Sequence, residues 1–215
     1  MMNVNEVMRL LSAHFARERM TTLNRMRQEK NALKILIGCI VSINIKDEVT
    51  EKILEELFVR ADTFEKILAM PTEELEELLY LARYRRVKAA TLKNISKDIV
   101  ERFEGAVPSS REELLSIKGV GPKTANVVLN FAFGQRAIPV DSNTLRITNR
   151  IGLISTEKHA DVEELLLREL SEDIFMDANA LFMLHGKNIC VPVSPFCSQC
   201  PIDKMCGKVG VEKSH

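Results

Sequence analysis

Net charge is absent from this 215-residue chain: 30 lysines and arginines balance 30 aspartates and glutamates. That balance excludes a protein that coats nucleic acid by bulk attraction alone. Long apolar runs are also missing. The longest candidate, Ile35 to Ile45, falls short of the ~18–20 residues a membrane span needs, and it runs straight into Lys46-Asp47-Glu48. No repeat, low-complexity tract or Gly/Ser linker interrupts the sequence, and no run of period-two alternation marks a strand. Cysteine is scarce outside one short segment, Cys39 being the only one that lies apart.

Helical periodicity fills almost everything else. It predicts helices near 3–17, 21–28, 30–45, 47–58, 63–69, 72–80, 86–104, 110–117, 122–133, 142–151, 159–171 and 173–186. The fold class is therefore all-α. At the N-terminus, Val4, Met8, Leu11 and Phe15 sit at helical spacing, and Glu6 and Glu18 interrupt the arginines that a transit peptide would carry. With no export signal, the expected location is the reducing cytoplasm. The segment Ala32–Val41 is apolar nearly all round, so it reads as a central core helix in which Cys39 is a small buried hydrophobe. Ser109-Ser110 ahead of Glu112 and Glu113 signals a capped helix start, and Gly134 a helix end.

The charges are segregated although they cancel. Residues 83–93 hold five basic residues and no acid, whereas 48–81 hold ten acids against three bases. Such a chain can present one basic face to phosphates while its other faces repel them.

Between the helices predicted before and after it lies Lys118-Gly119-Val120-Gly121, followed by Pro122-Lys123-Thr124-Ala125. Two glycines around one small apolar residue allow a tight reversal and a close approach of bare backbone. The next helix starts there, and its unsatisfied N–H groups and dipole suit a phosphate. Pro122 fits the first helical position, and Val120 is expected to plug inward. Lys123 opposes the helix dipole, at a cost of about 0.3–1 kcal/mol. A residue that violates a local preference is a candidate for function: either a lysine nucleophile or a plain phosphate contact. Farther on, Pro139-Val140-Asp141-Ser142-Asn143-Thr144 opens another helix. Asp141 is a competent N-cap, or a carboxylate available to stabilise positive charge on a sugar ring.

The remaining cysteines, Cys190, Cys197, Cys200 and Cys206, are spaced C-x6-C-x2-C-x5-C. In a reducing compartment such a cluster reads as a metal centre. The donor set permits zinc or iron–sulfur, although zinc ribbons typically use two C-x2-C knuckles and only one is present here.

Taken together, IKGVGPKTANVVLN (117–130), AFGQRAIPVD (132–141), Leu184-His185-Gly186 and the four-cysteine spacing resemble the endonuclease III family of DNA glycosylases. The resemblance covers essentially the whole chain, weakening toward Asn31–Asp47. It implies two helical domains flanking a DNA-binding groove: a six-helix domain at 25–135 with the helix–hairpin–helix, and a domain formed by 1–24 and 136–215 that holds a [4Fe–4S] cluster on the four cysteines. It implies Lys123 as nucleophile and Asp141 as its partner, with Lys118, Gly119, Val120 and Gly121 on the DNA backbone. The implied partner is duplex DNA with damaged bases or abasic sites, bound by a monomer at the nucleoid. The implied activity is base excision of oxidised pyrimidines such as thymine glycol with abasic-site lyase action. A mismatched or deaminated base, or non-catalytic DNA binding, are the alternatives. Where relatives place a gap-filling glutamine this chain has Asn44, and the usual leucine wedge is replaced by Arg83 or Tyr84. These differences bear on lesion preference, not on the lyase residues.

Overall fold

The structure, a computed structural model, describes residues 3–17 and 22–215. These form thirteen α-helices and no strand: α1 (Val4–His14), α2 (Thr22–Glu29), α3 (Ala32–Val41), α4 (Asp47–Arg60), α5 (Phe64–Ala69), α6 (Thr72–Leu78), α7 (Arg85–Phe103), α8 (Arg111–Ser116), α9 (Pro122–Phe131), α10 (Ser142–Arg150), α11 (His159–Glu169), α12 (Glu172–Phe175) and α13 (Ala178–Asn188). Two short 3-10 turns, Cys197–Gln199 and Asp203–Met205, lie in the cysteine segment. None of these helices is long and apolar enough to cross a membrane.

The chain clusters into two compact units, Met20–Gln135 and Met1–Arg19 with Arg136–His215. Within the larger unit α2 is tied to α4. The Thr22 amide donates to the Asp47 carboxylate at 3.0 Å, and Arg25 pairs with Glu51 at 2.7 Å. Within this unit α3 is the hub, packed against α2, α4, α7 and α9. Its residues Ile35 through Val41 are all buried, as the uninterrupted apolar pattern predicts. Burial pushes the Cys39 thiol up to about 12, so it is an inert core residue. The helix is shorter than the predicted 30–45. Asn31 caps its start through the Lys34 amide, and a turn after Val41 ends it, with Asn44 in the left-handed region at φ 57°.

The smaller unit packs α1 against α12 and α13, and α10 against α11 and α13. Val4, Val7, Met8, Leu11 and Phe15 enter one core with Ile147, Val162, Leu166, Phe182 and Ile202. The single helix predicted over 173–186 is two, α12 and α13, because the chain turns at Met176-Asp177. Where α13 crosses α10, Gly186 lets the helices touch. A Cβ there would lie 2.6 Å from Asn143 Oδ1 and 2.7 Å from its Cβ. Gly186→Ala is therefore expected to overpack the crossing and cost about 1–3 kcal/mol, read as a fall in melting temperature; an unchanged melting temperature would show that the crossing can spread freely.

Candidate nucleic-acid interface and cysteine pocket

The helix–hairpin–helix forms as the sequence predicts. Ser110 caps α8, accepting from the Glu113 amide at 3.2 Å while its hydroxyl donates to the Glu113 carboxylate at 2.9 Å. The chain then reverses through Lys118–Gly121 into α9. Val120 is 6% exposed, so its side chain belongs to the core, and its amide is engaged with Ile117 O at 3.0 Å. The two glycines differ in what demands them. Gly119 has φ +104°, and a Cβ there would sit 2.7 Å from Thr91 Cγ2 on α7. Gly121 is extended, and a methyl group in place of its hydrogen would meet nothing within 4 Å, so the protein itself leaves room for a side chain there. No side chain caps α9, which leaves its first-turn amides turned outward beside Pro122. Lys118, Gly119, Gly121 and Lys123 are all exposed.

Two turns of the same unit carry the other exposed candidates. Asn44 and Ile43 are exposed on the turn after α3. In the turn before α7, Leu79 and Ala82 are buried anchors, while Tyr80, Leu81 and Tyr84 are exposed. Tyr84, at φ 58°, is 61% exposed and does not pack under its own loop; the Arg83 guanidinium lies 5.7 Å from its ring centroid. The five basic residues of 83–93 do not all face outward, a correction to the charge reading. Arg83, Arg85 and Arg86 are exposed, but Lys88 is buried and its ammonium donates to Val41 O and Ile43 O, both at 2.6 Å. Lys93 likewise turns inward onto Leu68 O, at 2.8 Å, and Met70 O. Both lysines cap a neighbouring helix, and burial holds each below the usual lysine range, Lys88 at about 8.

In the smaller unit, Asp141 is the N-cap of α10. Its Oδ1 accepts from the Thr144 amide at 2.9 Å and the Thr144 hydroxyl at 3.0 Å, and Oδ2 accepts from Asn143 at 3.3 Å. The carboxylate is thereby fixed in direction while Oδ2 keeps acceptor capacity. The same helix carries two arginines that sequence reading passed over. Arg146 donates to Gly186 O at 3.0 Å and to Cys190 O, and Arg150 donates to Val191 O at 2.7 Å and Pro192 O at 2.6 Å. Their four-residue spacing behind Asp141 was the available signal, since it puts both on one helix face.

These arginines hold the segment in which Cys190, Cys197, Cys200 and Cys206 line one small pocket with Ile151, Ile189, Ile202 and His185. All four thiols are free of disulfides. Arg150 lies 3.5 Å from Cys190 Sγ, and the Lys208 amide 3.4 Å from Cys206 Sγ. Burial and the other three cysteines raise the Cys200 thiol to about 11. Among the described residues no three donor side chains converge as ligands of a single metal ion. Lys208, a basic residue near this segment, is paired with Asp203 at 2.7 Å.

A uniformly helical pair of units, one with a glycine hairpin and the other with a four-cysteine pocket, defines a helix–hairpin–helix repair fold. The model of the HhH-GPD superfamily of base excision DNA repair proteins matches residues 37–172. Endonuclease III of Thermotoga maritima is 36% identical over 191 residues, covering 89% of this chain and 90% of that protein. The chain therefore belongs to the endonuclease III family of base excision DNA repair enzymes. Among solved structures, a trapped endonuclease III–DNA covalent intermediate in an estranged-adenine complex superposes with a TM-score of 0.83 at 26% identity, covering 95% of this chain and 94% of that one. A thermostable thymine-DNA glycosylase gives 0.85 at 25% identity, with 94% of each chain covered.

The hairpin glycines separate in a stability test. Gly119→Ala combines a positive φ with a clash against the Thr91 methyl and is expected to cost about 1–3 kcal/mol, whereas Gly121→Ala should leave the denaturation midpoint within experimental error. Equal losses at both positions would show that the turn demands glycine twice.

Proposed function

We propose that this enzyme is a DNA glycosylase with abasic-site lyase activity, removing oxidised pyrimidines such as thymine glycol from duplex DNA, with Lys123 as nucleophile. The observation that carries this reading is an exposed lysine in the uncapped first turn of α9, directly behind the Gly119–Gly121 reversal. Amides without a cap and a positive helix end suit a DNA phosphate, and Gly121 leaves space for that backbone to come close. The likeness to a trapped endonuclease III–DNA covalent intermediate supports the same chemistry.

A damaged nucleotide must leave the stack before its C1′ can be reached, at a cost of a few kcal/mol that is least for a base that already pairs poorly. Lys123 Nζ then bonds to C1′ as the glycosidic bond breaks, and the base departs with the bonding pair and takes up a proton. Opening of the sugar ring gives an iminium on Lys123. Loss of a C2′ proton breaks the C3′–O bond, expels the 3′ phosphate and cuts the strand; water then releases the lysine. Asp141 Oδ2 stabilises positive charge on the sugar and relays protons. Asn44, Arg83 and Tyr84 are the residues for the gap left by the flipped base, and Lys118 for the phosphates.

The four cysteines are proposed to hold a [4Fe–4S] cluster. Four soft thiolate donors around one pocket, offset by Arg150 and its neighbour Arg146, fit that group. When bound, it would cross-link a segment with little regular structure of its own. A second reading, excision of a mismatched or deaminated base, is supported by the likeness to a thymine-DNA glycosylase.

Lys123→Gln should abolish borohydride trapping of the protein on lesion DNA, and persistent trapping would remove Lys123 as the nucleophile. Asp141→Asn keeps a good helix cap, so its melting temperature should hold while single-turnover excision falls by about 10²–10³-fold; wild-type rates would reduce Asp141 to a cap. A panel of oxidised, mismatched and deaminated duplexes separates the two substrate readings. Anaerobically purified protein should contain iron and acid-labile sulfide in equal amounts, both lost in Cys200→Ser. Zinc without sulfide would overturn the cluster assignment.

A further inference from the structure

Lys88 is a buried cation with an unusual set of partners. It sits in the first turn of α7, 4% exposed. Its ammonium donates to Val41 O, the last residue of α3, and to Ile43 O in the following turn, each at 2.6 Å. Its own amide donates to Tyr84 O at 3.0 Å. Its side chain thus ties the turn that presents Asn44 to the first turn of α7, whose N-cap is Tyr84 and which directly follows the turn that presents Arg83. Asn44 and Tyr84 both stand in the left-handed region, at φ 57° and 58°, where the direction of each side chain depends on a backbone held in place from outside.

We propose that Lys88 is a positioning residue for nucleotide eversion, fixing the spacing between the Asn44 turn and the Arg83–Tyr84 turn so that both reach the same gap in the duplex. This deepens the glycosylase reading and rests on it. Lys88 touches neither substrate nor reacting atoms, so its effect falls on the step that extracts a base from the stack and less on strand cleavage at a sugar that has already lost its base.

Lys93, one and a half turns along the same helix, supplies an internal control. It caps α5 in the same way, through Leu68 O and Met70 O, but that helix end leads to Pro71 and α6 and presents none of the candidate gap-filling residues. A lysine that merely caps a helix should behave as Lys93 does.

The experiment compares Lys88→Met and Lys93→Met in single-turnover reactions on two duplexes, one with an oxidised pyrimidine and one with a preformed abasic site. Unstacking is followed in parallel by 2-aminopurine fluorescence opposite the lesion. Lys88→Met should lower excision from the lesion duplex by about 10–100-fold, with abasic cleavage within about threefold of wild type and the fluorescence rise slowed; Lys93→Met should leave the ratio of the two rates within about threefold of wild type. If Lys88→Met lowers both rates equally, or Lys93→Met changes the ratio as much, Lys88 is only a helix cap and the proposal falls. Lys88→Gln, a shorter donor, gives the same ratio should the methionine variant not fold. Wild-type protein inactive on both duplexes would instead sink the glycosylase reading, independently of Lys88.

Discussion

Several helix C-termini in this protein are closed by cations reaching in from a neighbouring element. An α-helix ends with carbonyls that lack intrahelical partners and carry the negative end of the dipole. Short helices packed into a core cannot all offer those oxygens to water. Lys88 closes α3 and Lys93 closes α5. Arg102 donates to Ser116 O at the end of α8, at 3.3 Å, and its other terminal nitrogen donates to Ser116 Oγ at 2.7 Å. In the other unit, Arg136 serves Leu167 O and Leu170 O at the end of α11, and Arg146 serves Gly186 O near the end of α13. Each bond is charge-assisted and links one element to the backbone of the next, so the same contact that satisfies a helix end also fixes how two elements meet.

The candidate functional elements hang from these contacts. The Asn44 turn is the continuation of α3 beyond the point where Lys88 grips it. The cysteine segment, with only two 3-10 turns of its own, is drawn against α10 by Arg146 and Arg150. Asp141 caps the start of that helix, so a single nine-residue element orients a carboxylate at one end and anchors the cysteine segment farther along. Loops that must hold a side chain in a fixed direction need such external bonds, because they lack the ladder of hydrogen bonds that stiffens a helix.

Much of this was legible from residue order. The hairpin could be read because glycine, proline and a capping serine act through local backbone geometry, and Ser110, Gly119 and Pro122 do so here as their chemistry dictates. The apolar run through Ile35–Val41 gave its burial directly, since a helix without a polar face has nowhere else to go. The basic stretch 83–93 misled in part. A lysine's long stem allows its charge to be sent outward or inward, and nothing in the local sequence says that Lys88 and Lys93 meet carbonyl ends more than twenty residues away. Arg146 and Arg150 share a helix face by their spacing, but which carbonyls that face meets, forty residues or more along the chain, is not written locally.

The sequence by itself determined the helical class, the glycine turn, the lysine behind it and the cysteine spacing, because each depends on neighbours a few residues apart. Only the tertiary structure decided which cations leave the solvent and which glycine is required by an adjoining helix. Those outcomes depend on which elements come into contact, and a buried charge is tolerated only where another part of the chain brings it an acceptor.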